Sequence, residues 1–175
     1  MSTPVFVSDP PGILAAGKGS AWFVPAIADI TAPTVAEIQA GVNISCELFE
    51  LNVGFDQTSV GRVKYCSKEE VQSPGKTTRT IDRIRYEYDP QDPESTDYAA
   101  YAELTPGTRG FLVDRRGLDA REVDVAADQY VHITPIELGA RDDRPINPTE
   151  EGGTLQVEQI IHVVGEKQRD IKVVA

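Results

Sequence analysis

Apolar positions along this chain recur with period two far more often than with helical spacing. Val42–Leu51 alternates, with Ile44, Cys46 and Leu48 on one side and Ser45, Glu47 and Phe49 on the other, the pattern of a half-buried strand. Thr80–Tyr88 does the same and sets Ile84, Tyr86 and Tyr88 against Arg83, Arg85 and Glu87. A first strand is predicted over Ala21–Ile30, with Trp22 and Phe23 as packing residues and Pro25 bending it or holding it at a sheet edge. Further strands are predicted over Val60–Cys66, Gly110–Asp114, Gln129–Leu138, Thr154–Val164 and Ile171–Val174. Two of these are apolar on both faces: Val131 and Ile133 stand against Tyr130 and Ile136, and Leu155 and Val157 against Ile160 and Val164. Such strands must be covered on both sides, by a second sheet, a helix or another subunit.

Helical spacing is concentrated in DPESTDYAAYAELTPGTRGFLVDRRG, Asp92–Gly117. Tyr98, Tyr101, Ala102 and Thr105 give one semi-apolar face, Asp92-Pro93 or Ser95 can cap its start, and Thr105-Pro106-Gly107 stops it before the strand with Phe111, Leu112 and Val113. A lone helix among strands needs a sheet to lie on. Thr34–Ala40 adds no more than one further turn, closed by Gly41.

The chain reads as one domain, 1–175, with residues 1–20 as an extended arm. Its 12 prolines and 14 glycines fit a β-rich α+β fold with many turns. A long hairpin is predicted on either side of residues 67–78, whose polar tip projects; GARDDRPINPTEEGG, 139–153, is a second turn-rich loop. Charge is unevenly placed. Arg62, Lys64, Lys68, Lys76, Arg79, Arg83 and Arg85 face only Glu69, Glu70 and Asp82, whereas Asp89, Asp92, Glu94, Asp97 and Glu103 follow without a cation among them. One reading is a solvated surface of both signs. The sharper one is that the basic hairpin of one copy seeks the acidic patch of the next.

The net charge of −11 argues against gripping a phosphate backbone, which Lys and Arg would have to neutralise. Nothing resembles a targeting segment, and no run reaches membrane-spanning length. Cys46 and Cys66 read as free thiols, too few for a zinc site without suitably placed histidines. His132 and His162 each sit in a predicted strand without a ligating neighbour, which suits packed or surface residues. Gly12–Ser20 nearly spells a phosphate-binding loop, but Gly19 stands where a hydroxyl is needed and a strand follows. No catalytic, cofactor-binding or metal-ligating set emerges, which favours a structural or interaction protein over an enzyme.

AWFVPAIADITAPTVAEIQAGVNIS (Ala21–Ser45) and YDPQDPESTDYAAYAELTPGTRGFLVDRRG (Tyr88–Gly117) resemble the major tail tube proteins of long-tailed bacteriophages, especially those infecting actinobacteria. The order of hairpin, helix and closing strands extends the likeness over nearly the whole chain. The resemblance implies two packed antiparallel sheets, a sandwich or barrel, flanked by one helix. It also implies homo-hexameric rings stacked into a hollow tube through which DNA leaves the capsid without specific binding. Implied partners are further copies and the tape measure, terminator and baseplate proteins; the implied location is the virion tail, assembled in the host cytoplasm. Contacts between rings would fall on the hairpin loop and the arm, making Lys68, Lys76 and Arg79 candidates. Glu47, Glu137 and Glu158, all on predicted strands, are candidates for facing the lumen. The competing classes are a related ring-former, such as a tail terminator or a secretion-system tube protein, and a small β-barrel enzyme or ligand-binding module with a deep pocket.

Overall fold

Along β1 (Gly19–Val24) successive side chains enter two different cores, Ala21 and Phe23 one, Trp22 and Val24 the other. This is period-two geometry with both faces covered. The strand ends at Val24, short of the expected Ile30, because Pro25 has no N–H to continue the ladder. The computed structural model describes residues 12–145 and 153–175. Most of the expected arm, 1–11, and the centre of the 139–153 loop lie outside the described residues.

In place of two packed sheets, nine strands among the described residues form one antiparallel hydrogen-bonded sheet along the path β2-β1-β6-β7-β8-β5-β3, with β4 paired to β5 and β9 to β7. The ends of that path, β2 (Val42–Asn43) and β3 (Leu48–Glu50), are joined in sequence by four residues, so the sheet has to curl into a half-barrel. The predicted continuous strand Val42–Leu51 is broken by a turn at 45–47. Its first part pairs with β1 and its last with β5 (Val71–Glu87).

β6 (Arg109–Arg116) lies between β1 and β7 (Tyr130–Asp143). Gly110 is required where β6 meets β1, since a Cβ there would stand 2.7 Å from the Phe23 ring. Strand β7 runs on to Asp143, five residues past the predicted end. The register of its far side places β8 (Gln156–Val163) and β9 (Gln168–Lys172) one after the other, as a single interrupted strand. The interruption falls opposite Pro135, whose carbonyl accepts from Val164 N–H but which has no N–H to return.

The inner face carries Phe23, Ile84, Tyr86, Leu112, Ile136, Leu138, Val157 and Ile161, all buried, with Ile44, Ala100 and Leu104 closing the curl. Each such side chain contributes about 1.5–3 kcal/mol by leaving water. The outer face of β1, β6 and the start of β7 holds a second cluster around Trp22, Val113, Val131 and Ile133, roofed by Ile27, Ile38, Val125 and Val173.

Among the described residues, two five-residue helices are present instead of one. Helix α1 (Val35–Gln39) starts with a reciprocal capping box: Thr34 Oγ1 accepts from Glu37 N–H, and the Glu37 carboxylate accepts from Thr34 N–H. Helix α2 (Ala99–Glu103) is shorter than Asp92–Thr105 suggested, and neither Asp92 nor Ser95 caps it. Its buried positions are Ala100 and the following Leu104, one turn apart; Tyr101 is half-buried, and Ala102 and Thr105 are exposed. Pro106-Gly107 does stop it, Gly107 taking φ +84.

Candidate assembly surface

The polar tip expected at 67–78 is mostly strand. β5 begins at Val71, so the connection is 63–70, and β4 (Val53–Arg62) pairs with β5 from Val71 to Ile81. Beyond Ile81 the β8 strand no longer follows β5. The hairpin therefore leaves the sheet as a two-stranded ribbon with both outer edges unpaired among the described residues. Such a ribbon is marginal in water by itself. It also exposes apolar side chains: Phe55, Val60, Val63, Tyr65 and Val71 are each 48% or more in solvent. Phe55 and Val60, five residues apart on β4, face opposite sides of the ribbon, and large apolar side chains left in water are a feature of surfaces that meet protein.

The ribbon's two edges differ. β5 carries Pro74 and Lys76, and the free edge of β9 carries Arg169, Lys172 and Asp170 at φ +55, all devices that discourage a further strand. β4, VGFDQTSVGR, has neither Pro nor Lys. Of the predicted contact residues, Lys68 is exposed in the tip connection. Lys76 is exposed on the ribbon, and Arg79 is half-buried near its root, its guanidinium 5.9 Å from the Phe55 ring centre.

A second unfinished surface is the outer face of β5, β8 and the end of β7. The inner-facing Val157, Gln159 and Ile161 leave Glu158 and the 41%-exposed Ile160 outward. Among the described residues, the expected cover over both faces of this strand is present on one only. Glu158 is held 3.1 Å from Arg83 and 4.0 Å from Arg144, and Glu137 is 2.7 Å from Arg109. The two carboxylates thus share one bare face, each matched by an arginine.

Glu47 stands elsewhere. It lies in the 45–47 turn, not on a strand, and its carboxylate accepts the Ala100 N–H at 2.7 Å, at the start of α2. Burial raises its pKa, and the bonds from the Ala100 and Ala99 N–H groups offset only part of that. Helix α2 is fixed from its other end as well. Gln159, fully buried, donates to the carbonyls of Leu104 and Gly139 and accepts from the Tyr86 hydroxyl. Arg141 donates to Tyr101 O and lies 3.9 Å from the Tyr101 ring centre, on which Tyr88 stacks at 5.0 Å. The Tyr88 hydroxyl donates to Asp143, a bond that with burial pushes its pKa up to about 12. Sequence reasoning missed Gln159, although one polar residue at the inward position between Val157 and Ile161 was a readable signal.

Buried Arg115 was missed too. It donates to the carbonyls of Asp119, Val123 and Asp124 and to Ser20 Oγ, and lies 5.2 Å from the Trp22 ring centre, pinning the 117–129 loop over the outer core. His132 Nδ1 accepts the Asp170 N–H, and burial together with Lys167 lowers its pKa, so it packs as the neutral ring. Cys46 and Cys66 are exposed thiols. A groove of about 650 Å³ is lined by Ile13, Leu14, Leu48, Phe49 and Leu51 together with Asp114 and Arg116. No group of three metal-ligating side chains occurs among the described residues, and no described helix is long and apolar enough to cross a membrane.

The described residues thus form a curled sheet with a projecting ribbon and an exposed polar outer face. Residues 7–175 match the family model for phage tail tube protein, and the chain belongs to that family. A search of curated proteins finds no sequence match. Among solved structures, a chain in the cryo-EM structure of the anti-feeding prophage baseplate, 6-fold symmetrised, aligns over 97% of this chain and 98% of its own, at 8% identity and a TM-score of 0.47.

Proposed function

We propose that this protein is the subunit of a tail tube, forming hexameric rings that stack into the conduit for DNA ejection in the virion, with other tail proteins capping its ends. The observation that carries the reading is the ribbon, whose unpaired edges and bare Phe55, Val60 and Val71 need a neighbour. Pairing with identical copies would remove those edges. A contact between two different surfaces of the same chain repeats without limit, which is what a tube requires.

The uncovered face of β5, β8 and β7 is the candidate channel wall, with Glu137 and Glu158 on it. Each is matched by an arginine, so this wall would carry mixed charge, and repulsion of DNA would rest on the −11 of every subunit. Glu47, the third candidate, lies off this face, its carboxylate accepting the Ala100 N–H at the start of α2.

Negative-stain electron microscopy of the purified protein tests the reading. Hollow tubes built of six-fold rings are expected. Single rings that never stack favour a terminator-like role, and a monodisperse monomer or dimer at every concentration and salt contradicts self-assembly.

A further inference from the structure

We propose that His132 is an acid-sensitive catch for the C-terminal strand: the neutral ring holds a bulge of β9 against β7, and the protonated ring lets residues 168–174 open from the outer core. The catch lies within one subunit and goes beyond the self-assembly reading, on which it does not depend.

The bulge is set by the register of β7 with β9. Val131 pairs with Ile171 and Ile133 with Gln168, so Arg169 and Asp170 together face the single residue His132. The extra residue is taken up by Asp170 at φ +55, a left-handed conformation that Asp tolerates better than most side chains. In this conformation the Asp170 N–H donates to a side chain, His132 Nδ1, at 3.1 Å. The ring that accepts it carries its own proton on Nε2. Amide groups, which make up the rest of the ladder, do not titrate near neutral pH; this contact does. The segment that follows depends on it. Val173 is buried in the outer cluster, donating to Gln129 O and accepting from Asp128 N–H. Val174 donates to Pro33 O and accepts from Val35 N–H, an orphan donor of the first turn of α1. Loosening β9 therefore reaches α1.

Charged groups reach the ring from each neighbour: Asp114 and Arg116 from β6, Lys167 from the connection before β9, and Asp170 from β9 itself. Asp114 is engaged 2.8 Å from Arg116. The Asp170 carboxylate is 3.8 Å from Nδ1, and its side chain is 71% exposed, so water screens its pull on a protonated ring. Burial first, then Lys167, hold the ring below the ordinary histidine value of 6.5; Arg116 adds to this, and Asp114 and Asp170 oppose it. Stability supplied by the neutral ring is therefore fully present above pH 6.5 and is lost as pH falls through the lower folded value. Once Nδ1 carries a proton, it and the Asp170 N–H are two donors face to face, and the bond is gone.

Hydrogen–deuterium exchange of the dispersed full-length protein tests this, with rates corrected for the intrinsic pH dependence of amide exchange. Protection of the amides in 168–174 should fall about threefold or more between about pH 7.5 and about pH 5.5, while β1 keeps its protection. His132→Asn sets a carbonyl oxygen near the Nδ1 position, an acceptor that does not titrate, so its protection should vary by less than about twofold over the same range. Equal wild-type protection at the two pH values, the same acid-induced loss in His132→Asn, or a loss spread evenly over β1 and 168–174 each overturns the catch. Should His132→Asn lose its fold by circular dichroism, an NMR titration of the wild type decides instead. The Asp170 amide should then follow the His132 ring with one shared midpoint below pH 6.5, and a ring that titrates without moving that amide contradicts the proposal. Each of these outcomes is read apart from tube formation, which electron microscopy tests.

Discussion

Glu47 is a carboxylate that alternation assigns to a strand face and the fold assigns to a helix start. Its side chain satisfies the Ala100 N–H, one of the orphan donors of α2. Because burial raises its folded-state pKa, stability from this group is fully present below the unfolded value of 4.5 and is lost as pH rises through the raised folded value. Glu47→Gln keeps an acceptor without a charge, so its urea-unfolding free energy should match or exceed wild type at pH 7 and show less of that pH-dependent loss. Glu47→Ala should cost about 1 kcal/mol by leaving the N–H unpaired. Arg115 is the opposite case, a cation whose recorded partners are neutral oxygens, with burial lowering its pKa. Arg115→Met should destabilise by about 3 kcal/mol or more in the same assay, since the carbonyls of Asp119, Val123 and Asp124 would lose their donors together.

At the scale of elements, Gln159 ties three of them together, bonding α2 through Leu104, β7 through Gly139 and β5 through Tyr86. Gln159→Leu should lower unfolding free energy by about 2–3 kcal/mol and speed amide exchange across α2, because the partners stay buried and unpaired. The ribbon makes a different prediction. In dispersed protein trypsin should cut at Lys64 and Lys68, exposed in the tip connection, at least about tenfold faster than in assembled protein. Strand existence was legible where alternation met burial on one face, as along Ile84, Tyr86 and Tyr88. Ends were less so. Val42–Leu51 breaks because it must pair with β1 at one end and β5 at the other, and a curled sheet cannot offer both partners to one straight strand. The tip was misplaced because polar residues in 71–78 look like loop, although two-stranded pairing alone holds them extended. Of the candidate site residues, Glu137 and Glu158 lie on strands as expected, whereas Lys76 and Arg79, expected in or beside the tip loop, lie on β5; the arginine partners of the two glutamates were hidden, since cross-strand neighbours such as Arg83 and Glu158 are 75 residues apart.

For the molecule as a whole, the sequence suggested a helix lying on a pair of sheets, and the fold is one sheet that rolls up and stops before it is finished. Its inner core is closed by Ile44, Ala100 and Leu104, and half of its outer face is roofed by α1 and the C-terminal segment. What remains open among the described residues is the ribbon and the polar face beside it. A chain that belongs to the phage tail tube family and leaves those surfaces open is, on this account, completed by copies of itself. Hydrogen–deuterium exchange of the β4 amides, Val53–Arg62, compared between dispersed and assembled protein, tests this most directly. The account predicts exchange within seconds in the dispersed state and strong protection, by about a hundredfold or more, once copies associate. Equally fast exchange of β4 in both states would contradict it.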